Sequence, residues 1–101
     1  MLQTLEALAE SNRLKIVELL RERPYSVNDI ALRLSLKQPQ ASKHLRVLHA
    51  AGIVSIYPLA QQRLYSLNQE PFKQLDAWAE LFNSDWEKRL TSLDKYLKKG
   101  K

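Results

Sequence analysis

Two helix signals separated by only four residues constrain this chain more than anything else in it. Ser26 to Val54 reads SVNDIALRLSLKQPQASKHLRVLHAAGIV. Ser26 can cap a first helix by accepting from a free backbone N–H three residues on, and Asp29 stands where a capping-box acid belongs. That helix is expected to bury Val27, Ile30, Ala31 and Leu34. Ser35-Leu36-Lys37-Gln38 then breaks the helical period, and Pro39 suits the first turn of a new helix, where no intrahelical N–H is needed. The second helix is expected to run to about Ala51, with Gly52 as its left-handed stop. Residues 26–52 therefore read as a helix-turn-helix running into a strand.

The second helix points to a function. At about 100° per residue, Ala41, Leu45 and Leu48 share one side and can pack on the first helix, while Pro39, Ser42, Lys43, Arg46 and Ala50 fall opposite. No acid occurs between Asp29 and Glu70. A cationic face with a hydroxyl and small residues suits a major groove lined with phosphates and base edges. The alternative is an ordinary solvated face, but such faces usually mix both charge signs.

The net charge of +5 acquires meaning when divided along the chain. Residues 1–25 hold four cations and four acids, and residues 67–101 hold seven against six. Residues 26–66 hold Arg33, Lys37, Lys43, Arg46 and Arg63 against Asp29 alone. Most of the excess sits on the helix-turn-helix and the segment after it, as a phosphate-binding surface requires. The absence of cysteine excludes disulfides, thiolate metal sites and thiol redox sensing. With no long apolar run and no signal pattern after Met1, a soluble cytoplasmic protein without membrane contact is expected.

Leu2, Leu5, Leu8 and Ala9 recur at helical spacing and predict a short opening helix. A second is expected over Asn12 to Arg23, capped by Ser11, with Ile16, Val17, Leu19 and Leu20 inward and Pro24 stopping it. Arg13 reads as a solvated arginine or a phosphate contact. After Gly52 the β-branched and aromatic run Ile53-Val54-Ser55-Ile56-Tyr57, answered by Arg63-Leu64-Tyr65-Ser66-Leu67, predicts a hairpin over 53–67. Its connection, Pro58 to Gln62, lacks glycine, so a long protruding loop is expected over a tight turn. Gln62 and Arg63 there are candidates for a minor groove or a phosphate, with a plain solvent loop as the alternative.

The longest periodicity closes the chain. Phe72, Leu75, Ala79, Phe82, Trp86, Leu90, Leu93 and Leu97 form a stripe flanked by Trp78 and Tyr96, holding phase across Asn83-Ser84-Asp85. The stripe predicts one helix over 70–98, with a kink at Ser84 as a permitted variant and Lys98-Lys99-Gly100-Lys101 as a frayed tail. Such a helix outruns so small a core, so the stripe is expected to meet the same helix of a second copy, together with Leu2 and Leu5. A cofactor box at Trp78, Phe82 and Trp86 is the sharper alternative; a membrane-surface helix fits poorly, because acids interrupt its polar side.

Leu8-Ala9, Arg13-Leu14-Lys15-Ile16, Gln40-Ala41-Ser42-Lys43-His44-Leu45, Leu48 and Ala51-Gly52-Ile53-Val54, in this order of elements, resemble the ArsR/SmtB family of winged-helix repressors over nearly the whole chain. The resemblance implies a mainly α fold with a small β-hairpin: a single winged helix-turn-helix domain with a long C-terminal dimerisation helix. It implies a homodimer on double-stranded DNA with a palindromic operator, in control of its own operon. Its DNA contacts would correspond to Gln40, Ser42, Lys43, His44 and Arg46, joined by Lys37 and Gln38 ahead of them and by a wing at Gln62 and Arg63.

The chain departs from the family's metal site, having Asn28, Asp29 and Arg33 where cysteine-bearing ligands would fall. His44 and His49, about 140° apart on one helix, cannot chelate one ion together; His44 reads equally as a hydrogen-bonded boundary residue. The expectation is the metal-independent subgroup, with no metal and no cofactor. Constitutive repression and an unidentified effector near Trp78 and Trp86 both stand. A winged-helix module for an acidic protein partner is the competing function. No nucleophile-base pair, phosphate loop or metal triad speaks for an enzyme.

Overall fold

The computed structural model describes Met1–Lys99; Gly100 and Lys101, half of the expected frayed tail, lie outside the described residues. In order, the elements are α1 (Leu2–Leu8), α2 (Ser11–Leu20), β1 (Tyr25–Ser26), α3 (Val27–Leu34), α4 (Gln38–Ala50), β2 (Val54–Leu59), β3 (Gln62–Leu67) and α5 (Gln69–Lys99). They fall into two compact units, Met1–Pro71 and Phe72–Lys101.

The first unit is a winged helix built on apolar faces at helical spacing. Ile16, Val17 and Leu20 of α2, Ile30 and Ala31 of α3, and Ala41, Leu45 and Leu48 of α4 converge on one core, closed beneath by Tyr25, Ile53 and Val54. Leu45 and Leu48 are 0% exposed, so α4 has a fixed inward side. Val27 and Leu34, expected in the core, are only half-buried.

Helix ends follow the chemistry of their residues. The Ser26 hydroxyl accepts from the Asp29 backbone N–H at 3.2 Å and starts α3. Ser35 ends it in the left-handed region (φ 55°), and the Leu36 N–H closes back on the Ala31 carbonyl at 2.9 Å. Pro39 sits in the first turn of α4. At its far end Gly52 (φ +76°) turns the chain, with the Ile53 N–H on the Leu48 carbonyl. The cap of α2 is Glu10, whose carboxylate accepts from the Arg13 N–H, and not Ser11 as expected; α2 stops at Leu20, short of Arg23. A carboxylate is the stronger acceptor for a free amide and complements the helix dipole.

The sheet has three antiparallel strands in the order β1-β3-β2, one more than the expected hairpin. Tyr25 pairs with Tyr65 and Ser26 with Leu64, so the residues that lead into α3 also brace the central strand. The hairpin itself overturns the long-loop expectation: Leu59 pairs with Gln62, leaving a two-residue turn at Ala60-Gln61. Ala60 takes the left-handed conformation (φ 55°) that glycine would have taken without cost. Pro58 is accommodated because β2 is an edge strand. Asn68 cinches the open end: its backbone N–H donates to Ile53, its amide to the Gly52 carbonyl at 2.8 Å, and it accepts from Ser55 Oγ.

The second unit is the body of α5. The helix starts at Gln69, just ahead of Glu70-Pro71, and runs unbroken through Asn83-Ser84-Asp85 to Lys99, one residue past the expected end at 98 and into the expected tail. Its 31 residues span about 46 Å at 1.5 Å each. No helix among the described residues is long and apolar enough to cross a membrane.

The two left-handed positions predict opposite responses. A Cβ at Gly52 would meet no atom within 4 Å, so Gly52→Ala costs only backbone strain, about 1 kcal/mol. Ala60→Gly relieves strain and stabilises by up to about 1 kcal/mol after the entropy of glycine is counted. Urea titrations of the two variants should shift the midpoint in opposite directions.

Candidate nucleic-acid interface

Helix α4 presents to solvent the face its core side leaves over. Lys43 and Arg46 are exposed on it, Ser42 is half-buried at its margin, and Lys37 and Gln38 stand exposed at its start. Gln40 is exposed as well, but its Oε1 accepts from the Lys37 backbone N–H at 3.1 Å, which leaves its amide nitrogen as the free group. Gln62 and Arg63 are exposed at the first positions of β3. Among the described residues none of Lys37, Lys43, Arg46 and Arg63 is ion-paired.

The structure brings these residues together in two neighbouring hollows. Gln38 shares one of about 300 Å³ with Gln62, Arg63 and the start of α3 at Ser26 and Asn28. Ser42 and Arg46 share a second of similar size with Arg63. Helix and wing thus form one basic surface in which Arg63 is common to both hollows. Periodicity on α4 could have placed His49 in the second, since it comes seven residues after Ser42 and three after Arg46; as a sequence feature His49 stands out only as a possible metal ligand.

His44 points elsewhere. Its half-buried ring faces α2, with Nδ1 3.7 Å from Glu10 Oε2 and without a hydrogen-bond partner. That places its ring at the boundary with α2, without the hydrogen bond expected of a boundary residue there. Arg13 is more than a solvated arginine: its Nε donates to the Ala7 carbonyl and ties α1 to α2. Tyr25, buried on β1, donates to Glu22 and is flanked by the guanidinium groups of Arg23 and Arg33, 3.9 and 5.1 Å from its ring centre. The bond to Glu22, with burial second, holds its phenol above the usual value.

Residues 10–55 match the family model for bacterial regulatory proteins of the arsR family. The chain is 34% identical over 86 residues to the HTH-type transcriptional regulator Rv2034 of Mycobacterium tuberculosis, covering 85% of this chain and 78% of that one. This chain belongs to the ArsR family. It is also 30% identical to the transcriptional repressor SdpR of Bacillus subtilis, over 72% of this chain and 81% of that one. Among solved structures, the homodimeric winged helix-turn-helix domain of Mb0332 from Mycobacterium bovis, a possible ArsR-family regulator, superposes with a TM-score of 0.67. The identity there is 25%, over 82% of this chain and 77% of that one.

Membership makes the chain a transcriptional regulator with a DNA-binding winged helix, and not an enzyme. Metal sites are known in the family, so the donor set bears on which branch it joins. The first helix of the motif offers Asn28, Asp29 and Arg33, there is no cysteine, and His44 and His49 lie on different sides of α4. Among the described residues no three His, Cys, Asp or Glu side chains converge. These residues do not fit a transition-metal centre.

The contact between Glu10 and His44 generates a test. The Arg13 N–H is the main cause that holds the Glu10 carboxyl below its ordinary value near 4.5; partial burial opposes it, and the charge of His44 adds to it. A lowered folded value means that the stabilisation is complete above pH 4.5 and is lost as pH falls through the folded value. Glu10→Gln should therefore unfold more easily than the parent at pH 6, and the gap should close on acidification towards pH 3. Thermal melts at both pH values read this directly.

Proposed function

We propose that this chain is a metal-independent, homodimeric transcriptional repressor that binds a palindromic operator and controls its own operon. The observation that carries the reading is the outward face of α4, where Lys43 and Arg46 stand exposed and unpaired within a stretch that holds no acid from Asp29 to Glu70. Each protomer lays α4 in a major groove. Lys43 and Arg46 meet phosphates or guanine edges, Ser42 and Gln38 meet the backbone, and the wing brings Gln62 and Arg63 towards the adjacent minor groove. Lys37 and the free amide of Gln40 extend the same surface. His44 supports α4 from behind.

The dimer is assigned to α5 and α1. Along α5, Phe82, Trp86, Leu90, Leu93 and Leu97 are exposed, Trp86 at 60%, while Phe72 and Leu75 are half-buried and Ala79 is exposed. Trp78 and Phe82 stack edge to face with centroids 5.0 Å apart, and Leu81, which the stripe omitted, is exposed beside them. Leu2 of α1 is exposed and Leu5 half-buried. A row of large apolar side chains this long exceeds what a monomer leaves in water, and a two-fold pair buries like against like. The Mb0332 domain is a homodimer and SdpR is a repressor, which supports both halves of the proposal. A two-fold axis sets the paired α4 helices about 34 Å apart, one turn of duplex.

Sedimentation velocity should find a dimer, and Phe82→Asp with Leu90→Asp should yield a monomer that retains the helical signature of the winged helix. On the fragment upstream of its own gene, Lys43→Ala and Arg46→Ala should each weaken binding about tenfold and lower the salt slope by about one. Undiminished affinity in both single variants, or an unprotected upstream region in footprinting, would sink the repressor reading.

A further inference from the structure

The second hollow is lined from α4 by Ser42, Arg46 and His49 and from the sheet by Ile56, Arg63 and Tyr65. Two arginines line it from different elements, together with a histidine, a serine and a tyrosine, and no acid lines it. Like charges in one cleft repel unless an anion lies between them. Ile56 and the buried Leu45 make one wall apolar, which excludes water from that side and strengthens charge-assisted hydrogen bonds. Tyr65 is held by its place on the central strand, paired with Tyr25 on one side and Ile56 on the other.

We infer that this cleft seats a phosphate of the DNA backbone, with Arg46 and Arg63 as its clamp and His49 and Tyr65 as further ligands. The inference rests on the DNA reading above and deepens it. If α4 occupies a major groove and the wing tip approaches the neighbouring minor groove, the sugar-phosphate ridge between those grooves has to cross the gap between α4 and β3. The cleft is that gap. A phosphate bound there is held by both elements at once, so it fixes the spacing of wing and recognition helix and contributes affinity without reading sequence. Ser42, at the rim, supplies a hydroxyl to the same ridge.

The test uses the full chain and two short duplexes of unrelated sequence, with fluorescence anisotropy across a salt series. His49→Gln and Tyr65→Phe should each weaken binding about threefold to tenfold, as the loss of one hydrogen bond does, and equally on both duplexes. Replacing Arg46 and Arg63 together by Gln should lower the salt slope by about two. Thermal melts of the His49 and Tyr65 variants should match the parent. If both bind as the parent does while Lys43→Ala weakens, the cleft is not a phosphate seat and the DNA reading stands. A loss confined to one duplex would assign these side chains to base edges and overturn the inference. Millimolar inorganic phosphate that shifts the His49 ring resonances, together with full DNA affinity in the His49 and Tyr65 variants, would make the cleft a seat for a free anion instead. A parent protein that binds neither these duplexes nor its upstream fragment would remove the DNA reading itself.

Discussion

The burial of Ala41, Leu45 and Leu48 against α2 and α3 is the constraint on which the winged helix depends. Each of the three is 0% exposed. Fully burying a leucine is worth about 1.5–3 kcal/mol, so turning α4 about its axis would surrender several kcal/mol. The orientation of every other residue on α4 is set by that cost. Lys43 and Arg46 face outward because the opposite side is committed to the core, and His44 is carried towards Glu10 for the same reason. Surface chemistry here is a consequence of packing, and the basic face needs no separate device to hold it.

The sheet adds a second level of control. Tyr25 and Ser26 pair with Tyr65 and Leu64, so the strand that carries the wing is anchored to the residues that cap α3. The wing is therefore no free arm. Its central strand runs between β1 and β2, and Arg63 projects one residue beyond the β1 pairing, where Pro58 of β2 sets its register. A guanidinium group held this way loses less freedom on meeting an anion than one on a flexible loop. The same logic separates Arg63 from Lys43, whose point charge on a long stem tolerates many geometries.

Much of this architecture is legible in the sequence, because the features that encode it are local. Ser26, Pro39 and Gly52 act within one turn of helix, and the structure uses all three as their chemistry dictates. The α5 stripe is readable because it keeps phase from Phe72 to Leu97 within one helix of 31 residues. The features that are not legible depend on partners distant in sequence. Two residues at Tyr25-Ser26 are too few to show a strand period, and only the meeting with β3 makes them one. The tight turn is hidden because Ala60 adopts a left-handed conformation that its residue type disfavours, a choice imposed by the pairing on either side. Tyr65 gives no signal for a related reason: it is ordinary alone, and although periodicity puts His49 on the side of Ser42 and Arg46, the cleft exists only where α4 and β3 come together.

The clasp at Asn68 carries a mechanical implication. One side chain and its own backbone hold Gly52, Ile53 and Ser55, and α5 begins at the very next residue. The turn that leaves α4 and the first strand of the hairpin are thus tied by one residue, so replacing Asn68 would loosen the exit of α4 and the base of the wing together.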